Sequence, residues 1–215
     1  MKERPEIRPA EGKLGVLLPG FGAVATTFVA GVEAARRGLA KPVGSLTQMQ
    51  TIRLGKRTED RTPLIKDFVP LADLDDLVFG CWDPIADDGY ASAKHAGVLD
   101  RETHLDPIRD FLESIKPMPA AFSTQYVKKL DGPNVKKAAN KKELAEQLRA
   151  DIRNFKAEND CDRLVMVWCG STEIFLRPGP QHESLEAFER AMEENDPAIS
   201  PSMLYAYAAI MEGVP

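Results

Sequence analysis

The chain reads as an α/β protein built on a parallel sheet with flanking helices. Three features point there. Short apolar runs at 14–18 and 164–168 have the unbroken hydrophobic character of strands covered on both faces. The segment 141–158 carries the helical period, with Leu144, Leu148, Ile152 and Phe155 on one face. Strand and helix patterns alternate along the chain, as they do in parallel α/β architectures.

The elements follow in order. Residues 1–12 are polar and form an N-terminal arm ahead of a single domain over 13–215. Leu14, Val16, Leu17 and Leu18 form a strand bounded by Gly12 and Pro19-Gly20, and its ladder ends near Pro19, which cannot donate a hydrogen bond. Residues 22–37 suit a helix closed by Gly38; packing must offset the low propensity of its β-branched residues. A strand is expected within Val43–Leu54, a turn over Lys56–Asp60 and a short acidic helix over Leu71–Leu77. Val78–Pro84 reads as a strand end opening into a loop. Helices are expected over 90–98 and 104–113, and Pro117 and Pro119 then break the pattern. After the amphipathic helix 141–158 and the strand 164–168, Ser184–Glu194 is a helix with Leu185, Phe188 and Met192 on one side. Ser202 is the candidate cap of a last helix through Met211.

Composition narrows the function. The 215 residues include 28 Lys plus Arg and 33 Asp plus Glu, a formal net charge of -5, which opposes nucleic acid or an anionic membrane as the main partner. No apolar run is long enough to span a bilayer. Leu14–Leu18 is too short for a signal peptide and runs into a glycine turn. Cys81, Cys161 and Cys169 form no CxxC pair and the three histidines are scattered, so neither a disulfide framework nor a zinc site is expected, and the cytoplasm is the default compartment.

The sharpest local signal is Gly20-Phe21-Gly22-Ala23-Val24-Ala25, a G-x-G-x-x-A turn between a strand and a helix. Gly20 permits the tight turn, Gly22 leaves room for a pyrophosphate, and Ala25 lets the helix approach the sheet. Free N–H groups at the helix start suit phosphate, and Thr26 and Thr27 offer hydroxyls nearby. The competing reading is a structural turn in an unrelated α/β protein. About 20 residues further on, where a ribose-binding acid is usual, Lys41–Thr47 holds none. Asp83 is the candidate substitute, although by itself it reads somewhat more readily as a loop-capping carboxylate. Cys169-Gly170-Ser171-Thr172-Glu173 follows a strand at the sheet end where such folds bind ligands, although its hydroxyls equally suit a cap. Cys169, without a histidine partner, reads as a structural cysteine rather than a nucleophile. Trp82 and Trp168 read as packing residues, and His95, His104 and the Lys128-Lys129 and Lys136-Lys137 pairs as structural or solvated groups.

Four segments together resemble the myo-inositol-1-phosphate synthase family in its prokaryotic form. They are Leu18–Thr27, Gly80-Cys81-Trp82-Asp83-Pro84, Val167–Glu173 and Ser202–Ala209, and they span nearly the whole chain in the family's order. The resemblance implies a Rossmann-like parallel sheet, an incomplete part of a larger two-domain subunit, with NAD as cofactor. It places Gly20, Gly22, Ala23 and Val24 at the pyrophosphate, Asp83 on the ribose side, and Gly170, Ser171 and Thr172 among the cofactor contacts. Cys169 and Ser171 depart from the eukaryotic form of their segment. The implied reaction converts D-glucose 6-phosphate to 1L-myo-inositol 1-phosphate. The sugar is oxidised at C5, loses a C6 proton, closes onto its C1 aldehyde and is reduced again.

Family subunits are about twice as long, and their catalytic lysines follow the region matched here. No residue of this chain is therefore assigned a catalytic role. The resemblance implies a fragment or split subunit, inactive alone, that works as a homotetramer when complete or with a second chain carrying the catalytic half. The alternatives are a non-catalytic nucleotide-binding or assembly module, and a conventional dehydrogenase that would release net NADH.

Overall fold

The computed structural model describes residues 10–215; the expected arm over 1–12 lies mostly outside them. Three parallel strands, β1 (Leu14–Pro19), β2 (Leu77–Trp82) and β3 (Arg163–Met166), form a sheet in the order β2-β1-β3. Leu14 pairs with both Leu77 and Arg163, so the three strands start in step and their C-terminal ends share one edge.

Eight helices, among the described residues, surround the sheet. They are α1 (Ala23–Arg36), the short α2 (Leu46–Met49) and α3 (Ile65–Phe68), α4 (Gly89–Ala96), α5 (Arg109–Ser114), α6 (Lys141–Glu158), α7 (Leu185–Glu193) and α8 (Pro201–Met211). Alternation along each strand divides the core into two layers. Val16, Leu18, Phe79 and Cys81 pack with α1, α4 and α5, while Leu17, Trp82 and Leu164 pack with α6 and α8. The result is a Rossmann-like sheet covered on both faces.

Two glycines let α6 approach the sheet. A Cβ on Gly80 would lie 2.6 Å from the Phe155 ring, and one on Gly15 would lie 2.8 Å from it. The Phe155 ring therefore rests in space that only glycines leave open on β1 and β2. Gly80→Ala should displace this ring and cost about 1–3 kcal/mol, measurable as a lower midpoint in denaturant unfolding. An unchanged midpoint would contradict this packing.

Several expected elements differ. Val43–Leu54 is not a strand but an exposed excursion containing α2, with only the isolated antiparallel bridges Thr51–Leu64 and Leu54–Arg61. Val43 and Leu46 are exposed, so their apolar pattern has no core to face. Leu71–Leu77 is not an α-helix; a single 3-10 turn, Leu74–Asp76, leads into β2. There the Arg36 guanidinium takes the carbonyls of Leu74 and Leu77, and Leu77 joins the sheet. Over 104–113, a π-turn and a 3-10 turn precede α5. Ser200, not Ser202, occupies the N-cap position of α8, because Pro201 is suited to the first helical position.

The strand expected over 164–168 is assigned only through Met166, although Val167 and Cys169 still donate to the carbonyls of Leu17 and Pro19 at 2.9 Å. Leu164 is its one buried member, and Val167 and Trp168 are exposed beyond the helical cover. No helix is long and apolar enough to cross a membrane among the described residues.

Candidate functional site

A cleft of about 360 Å³ lies over the C-terminal ends of the three strands. Because β2 and β3 lie on opposite sides of β1, the cleft sits at the point where the strand order reverses, the usual ligand position in open α/β sheets. Gly20, Gly22, Ala23, Val24, Asp83, Gly170 and Ser171 line it. Thr172, the remaining candidate, is exposed and off the cleft wall.

The glycine turn is gripped from both neighbouring strands. From β2, the Trp82 carbonyl accepts the Gly20 N–H at 2.8 Å, and Asp83 Oδ2 accepts the Phe21 N–H at 2.7 Å. From the β3 side, the Cys169 N–H donates to the Pro19 carbonyl at 2.9 Å. The Phe21 ring is buried, and the Phe21 carbonyl accepts the Ser92 hydroxyl from α4.

The two glycines of the turn do different work. Gly20 has φ +92, and a Cβ there would meet the Gly170 backbone at 2.4 Å. It serves the close approach of two loops. A Cβ on Gly22 would meet nothing within 4 Å. That position faces open cleft, directly before α1. Gly22 provides no side-chain cap and the first turn of α1 carries no acid. The unpaired N–H groups of that turn therefore suit an anion. Gly170 is also structural in part, since a Cβ there would strike the Trp168 ring at 2.7 Å.

Asp83 performs the capping role that its isolated reading allowed. Besides Phe21, it accepts the Ile85 N–H through Oδ1 at 2.9 Å. A carboxylate has roughly four acceptor positions, so two remain for ligand hydroxyls, and Asp83 still lines the cleft. The residues present thus fit a dinucleotide: donors for phosphate, an acid for a ribose, and open space at Gly22.

The threonines after the turn do not join them. Thr26 donates its hydroxyl to the Gly22 carbonyl at 2.9 Å, back into its own helix, and Thr27 is off the cleft wall. Cys169 lines the cleft, and burial raises its thiol pKa, which disfavours the nucleophilic thiolate at neutral pH. Among the described residues, no group of three His, Cys, Asp or Glu side chains is placed to hold a metal.

The rest of the wall comes from parts of the chain without a readable motif. The segment 117–136 crosses the end of β2. Met118 N–H donates to the Cys81 carbonyl at 2.9 Å, and Asn134 Nδ2 donates to the Asp83 carbonyl at 2.8 Å. It brings Ala121, Phe122 and Leu130 to the cleft, where His95 and Tyr205 also lie. Tyr205 sits edge-on to both tryptophans, at 5.4 Å from Trp82 and 5.7 Å from Trp168. Trp82 is a packing residue as expected, whereas Trp168 is partly open to the cleft. Glu173 accepts from the Ser202 N–H at 3.0 Å and from its hydroxyl, tying the loop after β3 to the start of α8. The acid beside Ser171 and Thr172, paired with the acid-free start of α8, was the available sequence signal.

These features define a class: a Rossmann-like α/β protein whose glycine turn opens on a cleft at the sheet's switch point. Residues 14–215 match the family described as myo-inositol-1-phosphate synthase. Inositol-3-phosphate synthase 1 of Bacteroides thetaiotaomicron is 53% identical over 214 residues, covering 99% of this chain and 49% of that protein. Inositol-3-phosphate synthase 1 of Oryza sativa subsp. japonica is 34% identical over 218 residues, covering 94% and 43%. Among solved structures, inositol-3-phosphate synthase of Caenorhabditis elegans superposes with a TM-score of 0.85 at 27% identity, covering 97% of this chain and 44% of that one. The chain belongs to the myo-inositol-1-phosphate synthase family. It spans a little under half the length of these relatives.

Proposed function

We propose that this chain is the nucleotide-binding portion of an NAD-dependent enzyme converting D-glucose 6-phosphate to 1L-myo-inositol 1-phosphate. The observation that carries the reading is the glycine turn, gripped by β2 and β3, with Gly22 facing open cleft. The synthases at 53% and 34% identity support the choice of reaction.

In this reading the N–H groups at the start of α1, including those of Ala23 and Val24, hold the pyrophosphate. Asp83 accepts ribose hydroxyls without releasing Phe21 or Ile85. Gly170 and Ser171 border the cofactor from the β3 side, and Thr172 stands off the cleft wall. NAD supplies a reversible hydride acceptor, so the reaction has no net redox change. The tasks of this chain are to bind and orient the cofactor. Enolate stabilisation and proton transfer fall to groups outside it, supplied within a homotetramer of longer subunits or by a second chain.

Titration of the 215-residue chain with NAD, followed by incubation with glucose 6-phosphate, tests the proposal. Saturable binding without inositol phosphate formation is expected, and Asp83→Ala should weaken binding about tenfold, the worth of one hydrogen bond to a charged group. Failure to bind NAD would overturn the reading. Turnover by this chain alone would overturn the division of labour.

A further inference from the structure

Trp82 ends β2 with its indole fully buried. A buried indole N–H needs an acceptor, and Asp151 Oδ2 of α6 provides it at 2.7 Å. The same oxygen receives Lys136 Nζ at 2.8 Å, and the Lys136 and Asp151 side chains are only 9% and 19% exposed. A neutral acceptor would satisfy one indole N–H without the cost of burying two charges. The ion pair adds a second anchor. Lys136 belongs to the segment crossing the end of β2, and its backbone N–H donates to the Ala120 carbonyl at 2.8 Å. Asp151 thus ties α6 to that segment, with the Trp82 indole fixed against it.

Neither Asp151 nor Lys136 lines the cleft. Trp82, however, adjoins both β2 grips on the glycine turn. Its own carbonyl holds Gly20, and the next residue, Asp83, holds Phe21. A shift of the Trp82 ring and backbone would move both grips. We propose that Asp151, anchored by Lys136, is a positioning residue for the dinucleotide, acting through Trp82 on the glycine turn. The proposal rests on the NAD-binding reading above and extends it to a buried ion pair outside the cleft.

The test uses the 215-residue chain, calorimetric titration with NAD, and spectra of ¹⁵N-labelled indole groups. The chain has two tryptophans, so two indole N–H signals are followed. Asp151→Ala should weaken NAD binding about tenfold, within the range by which residues of one hydrogen-bond network couple. It should also shift one indole signal, and NAD should shift that same signal in the unaltered chain. Asp151→Asn keeps an acceptor and should recover most of the affinity. Met192→Ala serves as a control for lost stability, because Met192 is fully buried on α7 and off the cleft wall. It should lower the melting temperature and leave the affinity unchanged.

If Asp151→Ala does not fold, Lys136→Met replaces it, with an expected weakening of about threefold and the same indole signal moved. Affinity of either folded variant equal to that of the unaltered chain, or an equal loss in Met192→Ala, would overturn the proposal. Absence of NAD binding by the unaltered chain would overturn the NAD reading and this proposal together.

Discussion

Gly20→Ala is expected to destabilise the protein by about 3 kcal/mol or more. Two costs add. A residue with a side chain at φ +92 carries strain of roughly 1–3 kcal/mol. Its methyl group would also lie 2.4 Å from the Gly170 backbone, which has no flexible end to move aside. Forcing the loops apart costs roughly 1–3 kcal/mol more. It would strain the Cys169–Pro19 and Gly20–Trp82 hydrogen bonds beside it. The melting temperature should fall by about 6–12 °C for a domain of this size. A fall of less than about 2 °C would show that the two loops do not meet in this way.

Gly22→Val should have the opposite profile. A Cβ there meets nothing within 4 Å, so the added atoms would point into open cleft. Stability should fall by less than in Gly20→Ala, because no neighbouring backbone stands in the way of the added atoms. Affinity for a dinucleotide should fall by roughly a hundredfold or more, because the branched side chain would occupy the approach of the pyrophosphate to α1. Two glycines two residues apart thus separate folding from binding: one is needed by the neighbouring loop, the other by the ligand.

The sequence made the scaffold of this cleft readable where a local pattern had one physical cause. The apolar run before Gly20, the helical period of 141–158 and the small residues of the turn each report nearby constraints, and each element stands where expected. Val43–Leu54 misled because its apolar residues, such as Val43 and Leu46, lie exposed on a surface excursion. Leu71–Leu77 misled because a distant guanidinium, that of Arg36, claims its carbonyls.

Within the site, Asp83 was legible as an acid at a strand end, but its two loop contacts depend on Phe21 and Ile85 being folded toward it. The segment 117–136 was not legible as a cleft wall. Its order comes from backbone bonds to the end of β2 and from Asn134, none of which leaves a periodic trace. The Asp151–Lys136 pair was hidden for the same reason, its members belonging to an amphipathic helix and a lysine pair that each read as ordinary surface features.

The most direct measurement is a calorimetric titration of NAD into the unaltered chain and into Gly22→Val, with the melting temperature of each recorded without ligand. Saturable one-to-one binding by the unaltered chain, lost in a Gly22→Val chain that still melts as a folded protein, is the expected result. No binding by the unaltered chain, or equal affinity in the two, would contradict the assignment of this cleft to the dinucleotide.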